Sequence, residues 1–459
     1  MSKTIKKGIV LFACIAILLS LFAGCGAKAP EKSDSTTPAQ SEKQEAKPEE
    51  TKEQANAAPA EKVTLTLLVP NSSTWDGTKA VIEAFEKKYN IATEIELRPG
   101  GEEGENVVKA RLATNDMSDM CGYNSGSLFQ ALNPEASFLD ITNEPFMANV
   151  IDSFKSNVSA NGKVFGVPDN TIMAGGWLYN KNVYKKLGLS IPKTWDELIS
   201  NCEKIKAAGK TAVIGTYKDS WTSQLIVLAE YYSVQAQVPT FAAEYTANKA
   251  KIATTPAALS SFEKLQEVFK KGFMNSDYLS TTFDAGLKML AEGKGAHYPM
   301  LTFALDNIKA NSPDKVNDIG FFAQPGDDAN NTGLTIWLPG GFFISKNSKK
   351  IEAALKWFSF YASVEGAEVF AAKQKPSGPF AIKGAKLPDD VLPAVKDMLP
   401  YIDSGKNSPA LEFVSPIKGP NLPQICVQCG SGIKTPLENA QEYDKDVEKQ
   451  AKQLGLAGW

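Results

Sequence analysis

The sequence predicts an α/β protein with a mainly parallel sheet, and three observations carry that reading. Residues 63–69 (VTLTLLV) alternate and then become fully apolar, the pattern of a strand buried on both faces. Residues 78–89 place Val81, Ile82, Phe85 and Tyr89 on one helical face, and residues 93–97 (TEIEL) alternate again. Strand, helix and strand within some thirty-five residues make a βαβ unit, whose strands run parallel.

Later elements follow in order. Residues 119–122 and 164–167 read as short strands, and Ser125-Gly126-Ser127 as a helix start. Thr194-Trp195-Asp196-Glu197 is a capping box, with Leu198, Ile199, Cys202 and Ile205 forming the apolar face behind it. Residues 256–271 carry Leu259, Phe262, Leu265, Val268 and Phe269 at helical spacing, and residues 349–361 carry Ile351, Leu355 and Phe358. A second box, Thr435-Pro436-Leu437-Glu438, has proline at the first helical position and opens a helix that nearly closes the chain. There is no internal repeat and no long second linker, so any domains are joined by short crossings.

Composition narrows the chemistry. The chain has 459 residues, enough for two or three domains at roughly 150 residues each. Its net charge is −3, and only two of its 49 basic residues are arginines, Arg98 and Arg111. That excludes an electrostatic grip on nucleic acid and leaves few bidentate readers of phosphate. The single histidine, His297, rules out a His pair or an HExxH zinc site. No cofactor is implied. With no Walker motif in the chain, any ATPase working with it is a separate protein.

The first twenty-five residues form a targeting segment. Lys3, Lys6 and Lys7 precede an apolar run, residues 9–22, which is too short to span a bilayer comfortably. Phe22-Ala23-Gly24-Cys25 resembles the bacterial lipobox, which implies cleavage after residue 24 and lipidation of Cys25; Phe22 replaces the usual leucine. A plain secretory signal is the alternative. Residues 25–62 then form a tether: positions 26–62 hold fourteen charged residues, no aromatic and no aliphatic side chain but alanine. Such a segment cannot bury enough to order itself, and as a coil it reaches ~30–35 Å.

Four further stretches, in order and spread over the body, resemble the extracellular solute-binding proteins of ABC importers, in the subgroup that takes sugars and oligosaccharides. They are Gly176-Trp-Leu-Tyr-Asn-Lys-Asn-Val-Tyr184, Pro192-Lys-Thr-Trp-Asp-Glu-Leu198, Ala291-Glu-Gly-Lys-Gly-Ala-His-Tyr-Pro299, and Pro339-Gly-Gly-Phe-Phe-Ile-Ser-Lys-Asn-Ser-Lys349 running on to Trp357-Phe358. His297, Leu301 and Phe303 depart from the pattern. The resemblance implies two α/β lobes joined by two or three hinge crossings, with a ligand cleft between them that closes on its solute. Carried over, one lobe takes residues 63–170 plus 301–336 and the other 171–300 plus 337–459. It also implies a monomer on the outer face of the cytoplasmic membrane that delivers an oligosaccharide to ABC permease subunits.

A sugar cleft needs flat aromatic faces for the apolar sides of the rings and polar groups for the hydroxyls. Trp195 and Trp357, on amphipathic helices, read as core. Trp75 and Asp76 follow the first strand in a polar loop, at the carboxyl end where ligands gather in α/β folds. Trp177 lies just past the first implied crossing, Trp221 opens a helical stretch, and Trp337 precedes Gly340 and Gly341, which let backbone approach a ligand closely. Phe303 enters by its position in the resemblance. Tyr123 and Asn124 end one strand, and Asp169 and Asn170 follow another. For most of these, core packing or turn chemistry is the competing reading.

Cys426-Val427-Gln428-Cys429 is a CxxC motif in an apolar helical stretch, open to three readings: buried free thiols, a disulfide, or half of a zinc site. The sequence thus points to a tethered sugar-binding subunit that does no chemistry. Two alternatives stay open. One is the same fold with a peptide, polyamine or polyol as its solute. The other is a secreted glycoside hydrolase, which needs only two carboxylates.

Overall fold

Two sheets, each backed by helices, organise residues 62–459, the part of the chain that the computed structural model describes. The signal segment, Cys25 and all but the last residue of the tether lie outside the described residues. In chain order the strands are β1 (Thr64–Pro70), β2 (Ala92–Arg98), β3 (Met120–Tyr123), β4 (Ser159–Ala160), β5 (Lys163–Val164) and β6 (Gly166–Pro168). They continue with β7 (Met173–Asn180), β8 (Thr211–Val213), β9 (Gly295–Leu301), β10 (Ile319–Ala323), β11 (Leu334–Trp337), β12 (Gly341–Ile344) and β13 (Asn407–Pro409).

The first sheet has the order β2-β1-β3-β12-β6. Its parallel heart is the predicted βαβ unit: β1 pairs with β2 from Thr64↔Ala92 to Pro70↔Arg98, with helix α1 (Asp76–Tyr89) as the crossover. Val81, Ile82 and Phe85 are the buried face of α1, as their spacing requires. Parallel pairing of β1 with β3 encloses helix α2 (Gly101–Thr114) in the same way. β12 then enters antiparallel between β3 and β6.

The second sheet has the order β13-β11-β7-β9-β8, with β10 also paired to β7. β8 lies parallel to β9 and β11 parallel to β13, while β7 meets β9, β10 and β11 antiparallel. The fold is therefore α/β with two mixed sheets; β6 and β7 bracket one passage between the sheets, and β11 and β12 bracket another.

This topology corrects the expected lobe boundaries. Residues 301–336, expected with the first lobe, carry β10 and most of β11 in the second sheet. Residues 341–373, expected with the second lobe, carry β12 and the helices Ile351–Tyr361 and Val364–Lys373 in the first. Phe342, Phe343 and Ile344 are buried in the same core as Leu67, Phe85, Phe129, Trp357 and Phe358. A strand goes where its hydrogen bonds and apolar face are satisfied, and these partners lie some two hundred residues away in the chain.

Two crossings, residues 169–172 and 338–340, lie side by side, and residues 374–380 run along them; the chain then stays in the first core through Ala385 and passes over before Leu387 and Val391, which pack in the second lobe. The Asp169 N–H donates to the Gly340 carbonyl at 3.0 Å, and the Ile172 N–H to the Pro379 carbonyl at 2.8 Å. Helix Trp195–Ala207 starts with the Thr194 side chain accepting from the Glu197 N–H, whereas the Glu197 carboxylate bonds the Lys193 N–H, one residue before the cap. The second box closes both ways, at Thr435 and Glu438. Among the described residues, no helix is long and apolar enough to cross a membrane.

His297 is wholly buried and bonds the Tyr184 hydroxyl at 2.7 Å and the Ala212 carbonyl at 2.9 Å, and burial lowers its pKa to about 4. Cys426 and Cys429 are free, buried thiols on helix Leu422–Cys429, and burial pushes Cys429 up to about 12.

Candidate functional site

Between the sheets lies a cavity of about 360 Å³. One wall is made by the carboxyl ends of first-sheet strands, where backbone groups leave the ladder and loops begin. β1 runs out into Ser72, Ser73 and Trp75; β2 delivers Arg98 and then the first turns of α2 with Glu102, Glu105 and Lys109. β3 delivers Tyr123 and Asn124, and β6 leads into Asp169 and Asn170. The other wall is mostly apolar: Trp221, Leu225, Leu228, Phe303, Trp337 and Pro423.

Each aromatic ring is held by contacts that fix its plane. Trp75 is the N-cap of α1, and its indole N–H donates to the Pro70 carbonyl at 2.8 Å. Trp221 packs at 5.2 Å from Phe283 and 6.1 Å from Phe303, which in turn stack on each other at 5.9 Å. Trp337 covers Gly175 of β7 so closely that a Cβ there would lie 2.0 Å from the ring. The Trp337 indole N–H donates to the Glu412 carboxylate at 2.7 Å, and Lys418 donates to the same carboxylate at 2.5 Å. Ring planes set in this way suit stacking on a ligand face.

The polar wall holds groups that find no partner among the described residues. The Tyr123 side chain is 2% exposed, and its hydroxyl has no partner. Arg98 donates to the Pro99 and Gly122 carbonyls, both at 3.1 Å, and leaves Nε unpaired. Its guanidinium sits 5.9 Å from the Tyr123 ring centre. Burial lowers the Arg98 pKa against the pull of neighbouring groups. Desolvation pushes the Asp169 carboxyl up to about 7, only partly offset by Arg98, and raises Glu105 as well. Gly340 lets its crossing press against this corner, since a Cβ there would meet Asp169 Oδ2 at 2.5 Å and the Tyr123 carbonyl at 2.8 Å. A buried group without a partner costs free energy, so such a cluster is matched to a ligand rich in hydrogen-bonding groups.

Of the residues singled out by sequence, the structure gathers Trp75, Tyr123, Asn124, Asp169, Asn170, Trp221, Phe303, Trp337 and Gly340 around this one cavity. Three are placed elsewhere. Trp177 is fully buried in the second sheet, stacked on Phe322 at 6.3 Å and edge-on to Trp195 and His297. Its strand turns that residue into the core, where the period of two requires an apolar side chain. Asp76 is exposed on the first turn of α1, beside Lys79 at 3.5 Å. Gly341 is buried at the start of β12, where a Cβ would strike the Phe343 ring at 2.6 Å.

Sequence reasoning missed Arg98, Glu105, Glu412 and Lys418. Arg98 had a signal, being one of two arginines and standing at the end of an alternating strand. Glu412 and Lys418 had none, because their loop reaches the cleft only through the tertiary fold. Among the described residues, no three His, Cys, Asp or Glu side chains are grouped to hold a metal ion.

A profile of the family described as bacterial extracellular solute-binding protein matches residues 71–368. The multiple sugar-binding protein of Streptococcus mutans is 25% identical over 347 residues, covering 73% of this chain and 79% of that protein. The melibiose/raffinose/stachyose-binding protein of Bacillus subtilis is 25% identical over 337 residues, or 70% of this chain and 76% of its own. Among solved structures, a chitin oligosaccharide binding protein shares the fold with a TM-score of 0.72 at 19% identity, over 85% of this chain and 99% of that one.

Proposed function

The chain belongs to the bacterial extracellular solute-binding protein family, and from that premise we propose that it captures a short oligosaccharide between its lobes and delivers it to an ABC permease. It is a binding protein rather than an enzyme. The observation that carries the sugar reading is the pairing of walls. Trp221, Phe303 and Trp337 line the same cavity as Tyr123, Asn124, Asp169 and Asn170. A pyranose ring has the matching anatomy, with apolar C–H faces and a rim of hydroxyls. Relatives named for sugars support the same class.

In this reading the aromatic wall stacks on the ring faces, while the Tyr123 hydroxyl and the Asp169 carboxylate bond the rim. A volume of about 360 Å³ is near the lower end of the ~300–1,000 Å³ typical of small-molecule clefts, which favours a short chain. Contact with both walls stabilises the closed arrangement of the lobes, and that arrangement is what the permease reads. Cys25, carrying two acyl chains, anchors the protein to the outer face of the membrane.

Calorimetric titration against gluco-, xylo-, manno-, malto- and galacto-oligosaccharides tests the proposal. One-to-one binding at micromolar affinity or tighter, with the sugar recovered intact, is the expected result. Absence of binding across that panel sinks the sugar reading and directs attention to other solutes of the family.

A further inference from the structure

Gln374 caps the helix Val364–Lys373 in the first lobe and begins the segment, residues 374–380, that runs along the two crossings. Its side chain is buried, and its amide makes two bonds in opposite directions. Oε1 accepts the backbone N–H of Gly77 at 2.9 Å, and Nε2 donates to Asp306 Oδ2 at 2.7 Å. Gly77 is the second residue of α1, whose N-cap is Trp75. Asp306 is the third residue of the helix Ala304–Asn311, whose N-cap is Phe303. The Asp306 N–H bonds the Phe303 carbonyl at 3.1 Å, so the two residues share one turn.

One amide therefore ties together the first turns of two helices, one from each lobe, and each helix opens on an aromatic residue of the cleft. Asn307 Nδ2 of the same helix also donates to the Ser72 carbonyl at 3.2 Å, a bond to the loop that leads from β1 into α1. We propose that Gln374 is a positioning residue of the cleft, whose side chain sets the span between Trp75 and Phe303 and so the spacing at which the two walls meet a ligand. This rests on the stacking role given to those aromatics above.

The chemistry explains the residue type. The first-turn N–H of Gly77 has no partner within its helix and needs an acceptor, while the Asp306 carboxylate needs a donor. Glutamine offers both on one uncharged group, whereas glutamate lacks the donor and lysine lacks the acceptor. The fit is tight on the α1 side, because a Cβ on Gly77 would come within 2.5 Å of the Phe370 ring. On the other side Asp306 is 7% exposed and also accepts from Ser377 Oγ at 3.4 Å. Lys309 on its own helix and Asp76 on α1 are the charged groups that bear on it, with opposite effects, and burial raises its pKa to about 7.

The test is hydrogen exchange of the full-length Gln374→Ala protein, read without any ligand, together with titration of the sugar that the wild type binds. Amides of the first turns of both α1 and the helix Ala304–Asn311 should exchange at least tenfold faster, and affinity should fall about tenfold. Gln374→Glu separates the two halves and decides the matter if the alanine variant fails to fold. It keeps the acceptor for Gly77, so α1 should stay protected while the first turn containing Asp306 loosens. Wild-type exchange at both turns in Gln374→Ala, or faster exchange with unchanged affinity, overturns the proposal. If the wild type binds none of the sugars, the functional reading fails instead. The exchange arm still decides the coupling, which is refuted if only one of the two turns responds in Gln374→Ala, or if the turn containing Asp306 does not respond in Gln374→Glu.

Discussion

The two walls of the cleft differ in origin and in chemistry. The first-lobe wall comes from loops directly following β1, β2, β3 and β6, and it is polar, with Arg98, Glu105, Tyr123, Asn124 and Asp169 facing the cavity. The second-lobe wall is mostly apolar, with Trp221, Leu225, Leu228, Phe303 and Trp337 drawn from three separate stretches of chain and Gln224, Glu412 and Lys418 among them. The difference teaches a division of labour. Loops at strand ends offer short polar groups close to fixed backbone, which in the proposed reading bond the hydroxyls. Helix starts and a strand end in the other lobe offer large rigid faces, and so supply contact area.

The largest effect should come from the aromatic wall. Trp337→Ala removes a stacking face and leaves Glu412 with one partner fewer; a loss of about 2 kcal/mol, or ~30-fold in affinity, is expected by titration. Trp221→Ala should match it. Wild-type affinity in both variants would reverse the assignment of the two walls.

On the polar wall, Asp169→Asn should weaken binding about tenfold at pH 8, where the carboxylate is ionised, because charge-assisted bonds to hydroxyls are roughly twice as strong as neutral ones. Tyr123→Phe makes a sharper test. Its hydroxyl has no protein partner, so removal should leave thermal stability unchanged or slightly raised while affinity falls about two- to tenfold. A drop in melting temperature with intact affinity would make this tyrosine structural.

The pH dependence of stability follows from the raised carboxyls. Asp169 and Asp306 are each pushed up to about 7 in the fold, against about 3.9 in an unfolded chain. Between roughly pH 4 and 7 the folded state thus holds more protons than the unfolded one, so these groups make stability fall as pH rises, with no further change above about 7. Thermal melts of the Asp169→Asn/Asp306→Asn protein should show a flatter slope over that window. An unchanged slope would assign it to other groups.

Trp177→Phe should have the smallest effect on binding. The ring lies in the second core and its indole nitrogen has no partner, so the melting temperature should fall by a few degrees with affinity unchanged. The contrast with Trp337 is instructive, because both lie on antiparallel neighbours in the same sheet. Trp177 pairs with Phe322 and Pro299 in mid-strand, whereas Trp337 ends its strand where the chain turns toward the other lobe.

Local sequence determined the βαβ unit, the capped helices, the apolar face of α1 and the polar character of the loops at strand ends. Each is a matter of neighbouring residues: a period of two or 3.6, or a cap satisfying an orphan N–H. Tertiary structure alone decided which lobe received β10, β11 and β12, which of Trp177 and Trp337 lined the cavity, that Glu412 reached it, and that Gln374 bonded both Gly77 and Asp306. Those outcomes rest on hydrogen bonds and buried contacts between segments far apart in the chain, for which a strand carries no address in its own residues.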